Sequence, residues 1–338
     1  MTATPQMWSL FATFVVVALL VDFFALKKQG AHSVGMREAA VWSVIWVAVS
    51  FLFMGWMWWY VGGLSADPAI KAMADTKALE FVTGYLVEKA LAVDNVFVFL
   101  MLFTYFAVPQ EYQKRVLMIG ILGALVLRAA MILVGAWAIA RFHWILYFFG
   151  AFLVFTGIKM WWAAGQEPDL ESNPALKWIR RRLHVSPHYD GERFTTIIDA
   201  KRVLTPLAVV VILVGIVDII FAVDSIPAIF AITTDPFIVL TSNVFAILGL
   251  RAMYFLLAGM HERFHLLTYG LALVLVMIGT KMLLLDVYKI PVAWSLAATV
   301  TVLAGTMVLS LLVPPKDTAP RGAYPFKAKT QPGTDDAK

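Results

Sequence analysis

Long apolar stretches separated by short polar ones run from about residue 8 to about residue 313. Nine of them are candidate membrane-spanning helices, at about 8–26, 40–61, 79–105, 115–139, 144–164, 203–233, 238–259, 264–285 and 292–313. Each approaches or exceeds the roughly 20 apolar residues that cross a bilayer core as a helix. Most connections between them are short. The exception spans 165–202, a polar stretch with seven basic and six acidic residues, including Arg180, Arg181 and Arg182. It is too short for an independent catalytic domain and reads as a solvated cytoplasmic connection. Pro314 and Pro315 open a tail rich in Pro, Lys and small residues, whose composition predicts disorder over 315–338. The expected fold is therefore all-α and polytopic, with one transmembrane domain over 1–314. Trp56, Trp58, Trp59 and Tyr60 end the second stretch, where an interfacial aromatic belt is expected.

Two stretches break the apolar pattern at their centres. Residues 88–95 read EKALAVDN and residues 218–225 read DIIFAVDS, so a carboxylate is followed six residues later by Asp in the setting Ala-Val-Asp-(Asn/Ser). An ionised carboxylate at mid-membrane costs about 2.5–3.5 kcal/mol on insertion scales, and such residues mark ion or substrate paths. The likeness extends further. Leu127-Arg128-Ala129, Arg141-Phe142-His143 and Gly157-Ile158-Lys159-Met160 recur as Leu250-Arg251-Ala252, Arg263-Phe264-His265 and Gly279-Thr280-Lys281-Met282. The interval from Arg141 to Lys159 is 18 residues, and so is that from Arg263 to Lys281. Spans three to five thus match spans six to eight. Three crossings per unit require the second copy to insert upside down, an inverted repeat of the kind that houses transporter sites at its interface.

Composition agrees with a membrane protein. Of 338 residues 61% are hydrophobic and only 14% charged, with a mean hydropathy of +0.80, whereas a soluble domain is about a quarter charged. The absence of cysteine excludes disulfides, thiolate metal sites and cysteine nucleophiles. A pI of 9.3 reflects topology rather than a nucleic-acid partner, because Lys and Arg gather in cytoplasmic loops. With the amino terminus outside, the inner segments hold 18 basic residues and the outer ones four. The uncharged start before Asp22 reads as a retained first span. No phosphate loop, Ser-His-Asp arrangement or HExxH motif occurs, so an enzyme is not expected.

Six residues on a helix turn through about 600°, leaving Glu88 and Asp94 about 120° apart. They can still line one cavity if the helix is surrounded by partners or unwound. Pro227 favours unwinding in the second copy, because it leaves the carbonyl of Val223 without its helical donor. Were the two segments to meet at a pseudo-two-fold axis, Glu88, Asp94, Asp218 and Asp224 would supply carboxylates, and Asn95 and Ser225 neutral oxygens. Such an oxygen set suits Mg2+, Ca2+ or Mn2+ better than Zn2+ or Cu+. In the competing reading, these acids only neutralise Lys89, Arg128 and Arg251. Four acids against three bases leave one uncompensated, which favours a cation site with Arg128 and Arg251 as supporting counter-ions. Lys159 and Lys281, near span ends, are expected to reach the interface, and Asp22 to be solvated there. His143 and His265 stand at loop edges and are not expected to be ligands.

The segments EKALAVDNVFVFLMLF, FAVDSIPAIFAITTDPFIVLTSN and FAILGLRAMYFLLAG resemble the TerC family, in its Alx-like branch, over about residues 8–313. The resemblance implies a nine-span bacterial inner-membrane protein that exports Mn2+, with Glu88, Asp94, Asn95, Asp218, Asp224 and Ser225 as metal ligands. It implies no permanently bound cofactor, Mn2+ being the cargo, and protons are a candidate coupling ion. One departure stands out: family members often carry an acid three residues before the position of Asp218, where this chain has Gly215. Two alternatives remain open beside metal export. One is a non-transporting scaffold that assists insertion or metallation of other proteins; the other is export of a small organic cation.

Overall fold

The computed structural model describes residues 3–29, 36–142, 144–164, 185–186, 189–198, 201–258, 266–288 and 290–313; the side chains of residues 22–29, Asp94, Phe97 and Asp224 lie outside that description. The Asp22 side chain, His143, Arg263, His265, the first part of the long polar connection and the tail are accordingly outside the description. Ten helices are described: α1 (Pro5–Gln29), α2 (Met36–Val61), α3 (Pro68–Tyr105), α4 (Gln110–Arg141), α5 (Ile145–Ala163), α6 (Pro206–Phe230), α7 (Pro236–Leu248), α8 (Leu250–Ala258), α9 (Leu267–Leu283) and α10 (Val292–Leu312). Helix occupies each of the nine apolar stretches. Among the described residues, α2, α4, α5, α6 and α10 are long and apolar enough to cross a membrane, and the bent pair α7 and α8 makes a sixth. The protein is an all-α, multi-pass membrane protein.

Three helix starts share one device. Asp67, Thr205 and Asp235 cap α3, α6 and α7, each accepting a backbone N–H of the first turn, and each is followed by Pro at the first helical position. The cap satisfies an orphan donor, and Pro has no N–H to lose there. These caps place α3 earlier than the expected start at 79. At about 57 Å for 38 residues, α3 exceeds the roughly 30 Å hydrocarbon core.

Two expectations are corrected. The stretch 238–259 is not one straight span: α7 and α8 meet at a 43° bend around Gly249. A Cβ at Gly249 would lie 2.8 Å from Lys89 Nζ, and that ammonium donates to the Ala246 carbonyl at 3.1 Å. Lys89 therefore caps a helix end and is not a counter-ion of the central acids in the described structure. Pro227, by contrast, does not unwind its helix. α6 continues through it to Phe230, because packing on its neighbours holds the turn that the missing N–H weakens.

Helices α1 and α2 brace the rest through aromatic rings. Phe53 of α2 lies 4.5 Å from Phe245 of α7 and 5.8 Å from Phe81 of α3. Phe14 of α1 stacks on Phe245 at 4.8 Å, and such pairs add about 0.5–1.5 kcal/mol each beyond their buried area.

Helices α5 and α9 make the closest backbone approach. A Cβ at Gly279 would sit 2.7 Å from the Gly150 carbonyl, and one at Gly150 would sit 3.1 Å from the Gly279 carbonyl. Further along, a Cβ at Gly157 would lie 2.7 Å from the Ala272 carbonyl. Only the missing side chains permit this contact. Gly279→Ala is expected to cost about 1–3 kcal/mol, since two of the three nearest obstacles, the Gly150 carbonyl and the Val154 amide, are backbone. Thermal unfolding in detergent should show the drop, and Gly305→Ala, with nothing within 4 Å of its added carbon, should not.

The described end of the polar connection is folded rather than simply solvated. Strands β1 (Thr195–Ile198) and β2 (Lys201–Leu204) pair antiparallel, Thr195 opposite Leu204. Tyr189 donates its hydroxyl to the Phe106 carbonyl at 2.7 Å, tying this segment to the end of α3. Burial pushes the Tyr189 phenol from 10 up to about 12. A raised phenol stabilises the fold fully below pH 10 and loses that contribution between pH 10 and 12, as the phenolate forms. The thermal midpoint of the wild type should fall more steeply across that window than that of Tyr189→Phe.

Candidate functional site

On a helix, positions seven apart are separated by about 700°, so they share a face within about 20°. The buried positions follow that rule. In α3 Glu88 and Asn95 are buried, and in α6 Asp218 and Ser225 are buried. The residue that shares each leading acid's face is thus the Asn or Ser seven positions on, not the Asp six positions on. Asp94 and Asp224 lie within their helices, but their side chains are outside the description.

The two faces meet at Arg128 of α4. Its Nη1 donates to Glu88 Oε1 and, at 3.2 Å, to Ser225 Oγ, while Nη2 donates to Asp218 Oδ1 at 3.1 Å. Glu88 is fully buried and Arg128 only 2% exposed, so the guanidinium and two carboxylates are held away from solvent. A planar guanidinium suits this role because its fork can bind two carboxylates at once. The pair still exceeds its counter-ion by one charge. Glu88 Oε2 and Asp218 Oδ2 have no hydrogen-bond partner, and unpartnered buried carboxylate oxygens are cation acceptors. Arg251, the counterpart of Arg128, is likewise buried, at the start of α8.

The structure thus brings together Glu88, Asp218, Ser225 and Arg128, drawn from three helices. Among the described residues, no group of three or more His, Asp or Glu side chains is arranged to hold a metal ion. What is described is a two-carboxylate centre. Both Glu88 and Asp218 offer hard oxygen donors suited to Mg2+, Ca2+ or Mn2+. Gly215 removes nothing from this pair. It is exposed, on the side of α6 that carries exposed Ile212 and Ile219, and has open space where a Cβ would be.

A cavity of about 10 Å³, room for about one water, adjoins Arg128 and Asp218 and is walled by Phe99, Leu117, Ile121, Val214, Ile247 and Leu250. Its α4 and α6 wall residues come from the halves nearest Gln110 and Pro206, so it lies on that side of the carboxylates. The opposite side carries a cluster of ion pairs. Lys77 Nζ lies 2.9 Å from Glu80 Oε2 and 3.4 Å from Asp235 Oδ2, and Thr233 donates to Glu80 Oε2 at 2.7 Å. Hydropathy does not reveal this cluster, because Lys77 and Glu80 come from α3 and Asp235 from the start of α7. Lys281, expected at the interface, is instead buried and within electrostatic reach of Glu80. Lys159 is exposed.

Residues 73–318 match the family described as "Integral membrane protein TerC family". Among curated proteins, the chain is 52% identical over 92% of its length to "Putative membrane-bound redox modulator Alx" of Escherichia coli (strain K12), covering 95% of that protein. It is 44% identical to "Uncharacterized membrane protein STKORF319" of Myxococcus xanthus, over 91% of this chain and 93% of that one. A Rickettsia bellii membrane protein is 38% identical over 88% of this chain and 94% of its own. No solved structure matches the chain. A buried carboxylate pair within a bundle of apolar helices, a family match over residues 73–318 and full-length relatives lead to one identification: the chain belongs to the TerC family of integral membrane proteins, in its Alx-like branch.

Proposed function

We propose that this protein is a transporter that exports a divalent metal cation, Mn2+ foremost, across the bacterial inner membrane by alternating access. The observation that carries the proposal is the Glu88 and Asp218 pair, with two unpartnered oxygens beside a small cavity. Carboxylates at mid-membrane, in excess of their counter-ion, suit a cation that is bound and released. Asp94, Asp224, Asn95 and Ser225 complete the proposed ligand set, and Arg251 supports it from the second unit. The amino terminus lies outside and the carboxyl terminus in the cytoplasm, as the basic residues favour. Protons are the proposed coupling ion. No covalent bond is made or broken, and no resident cofactor is involved.

The packing supports two inverted units of three spans within a nine-span chain. Gly157 aligns with Gly279, and on the same offset Gly150 aligns with Ala272. The contact between Gly150 and Gly279 therefore has Ala272 with Gly157 as its exchanged image, and both contacts occur. A two-fold relation between the units generates that reciprocity. As for the redox role in the relative's name, this chain has no cysteine. Any effect on redox state would therefore run through the metal, not through a thiol couple of its own.

The test is metal flux into proteoliposomes of known orientation, across Mn2+, Mg2+, Ca2+ and Zn2+. Selective Mn2+ movement is expected, uncompeted by small organic amines. A folded protein that moves no metal would reassign the chain to a membrane scaffold.

A further inference from the structure

Asn243 of α7 is fully buried, and neither its Oδ1 nor its Nδ2 has a hydrogen-bond partner. Its neighbours behave differently. Thr241 donates to the Phe237 carbonyl and Ser242 to the Ile238 carbonyl, each at 2.7 Å. A wholly unsatisfied buried amide is uncommon and calls for an explanation beyond packing. Four residues on, over the next helical turn of the same face, Ile247 lines the cavity beside Arg128 and Asp218.

The repeat supplies the explanation. Aligning Leu127-Arg128-Ala129 with Leu250-Arg251-Ala252 places Asn243 on Gly120 and Ile247 on Ala124. Gly120 and Ala124 both line the cavity. Of their counterparts on the other unit, Ile247 reaches the same cavity, whereas Asn243 is fully buried outside its lining. If the two units exchange conformations, the Asn243 face becomes the cavity wall, on the side that carries Lys77, Glu80 and Asp235. Gly84 packs against Ser242, and Lys89 reaches the Ala246 carbonyl, so Asn243 stands close to the level of Glu88.

Resting on the alternating-access reading above, we propose that Asn243 is a further cation-contacting residue, engaged when the cavity opens on the side opposite to that seen in this structure. Its carbonyl offers a neutral oxygen, which a divalent ion accepts alongside carboxylates. Without a charge, it also lets the ion leave.

Because the chain has no cysteine, Asn243→Cys and Ala124→Cys each introduce a single thiol for a membrane-impermeant reagent in oriented vesicles. Ala124→Cys is expected to react from the side that carries Gln110 and Thr205. Asn243→Cys should react from the other side, more slowly when Mn2+ is present. No reaction during turnover, or reaction from the Ala124 side, would overturn the assignment. A second variant guards against misfolding. Asn243→Leu loses no hydrogen bond, so it should unfold like the wild type while Mn2+ flux falls roughly tenfold, the loss of one oxygen contact. Unchanged flux would overturn the proposal. Absent flux in the wild type would overturn the transport reading itself, whereas labelling of Asn243→Cys from the opposite side would then still establish two-sided access.

Discussion

Arg128→Leu is expected to destabilise the protein by about 3–5 kcal/mol, the cost of stripping a buried ion pair of one partner. Arg128 is 2% exposed and Glu88 0%, so neither water nor a surface charge can replace the guanidinium. It serves two carboxylates, through Nη1 on Glu88 and Nη2 on Asp218, and its loss leaves both uncompensated. The triple variant Arg128→Leu, Glu88→Gln and Asp218→Asn should recover most of the stability, because replacing every charge of a buried set by neutral groups of similar shape is far cheaper than removing one. Thermal unfolding in detergent distinguishes these cases. A single variant as stable as the wild type would show that the two acids are neutralised by something other than Arg128.

The second large effect falls on transport. Glu88→Gln and Asp218→Asn should each lower Mn2+ flux by about 100-fold, equivalent to about 2.7 kcal/mol at 1.36 kcal/mol per decade. Charge alone distinguishes the variants from the parent, since the amide preserves size and one oxygen. The magnitude follows from electrostatics: two unit charges 4 Å apart interact by about 4 kcal/mol at an effective dielectric of 20, and a divalent ion feels more. Folding should survive either change, because Arg128 keeps its other carboxylate. Asp190→Asn, in the polar connection and 3.6 Å from Arg193, is the control and should transport normally. Stable Glu88→Gln and Asp218→Asn proteins with wild-type flux would remove both residues from the cation path.

How far the sequence reaches differs between fold and site. Helix in each apolar stretch was legible, because a membrane core demands about 20 apolar residues with every backbone group bonded internally. The break at Gly249 was not legible. A lone glycine in a helical pattern carries no signature, and its reason is the Lys89 ammonium arriving from α3, 157 residues away from Ala246 in sequence. The early start of α3 was written in Asp67-Pro68, a cap and first-turn proline that the hydropathy pattern alone overlooks.

For the site, the echo of EKALAVDN in DIIFAVDS singled out Glu88, Asp94, Asp218 and Asp224, since an acid in an apolar run is costly whatever the fold; of these, Glu88 and Asp218 have described side chains. Arg128 was legible as a counter-ion on the same ground. Which arginine serves which acid was not. Pairing depends on how α3, α4 and α6 cross, and crossing is set by side-chain packing between distant segments. The same holds for Asn243, a plain amide in an apolar helix until packing leaves both its polar atoms without partners. Composition and periodicity by themselves determined a polytopic helical membrane protein with repeated buried acids, because those features follow from local free energies of transfer. Tertiary structure alone decided that Glu88 and Asp218 share Arg128, that Lys89 caps a helix end and that a small cavity adjoins Arg128 and Asp218. Each of those is a distance between groups that the chain keeps far apart.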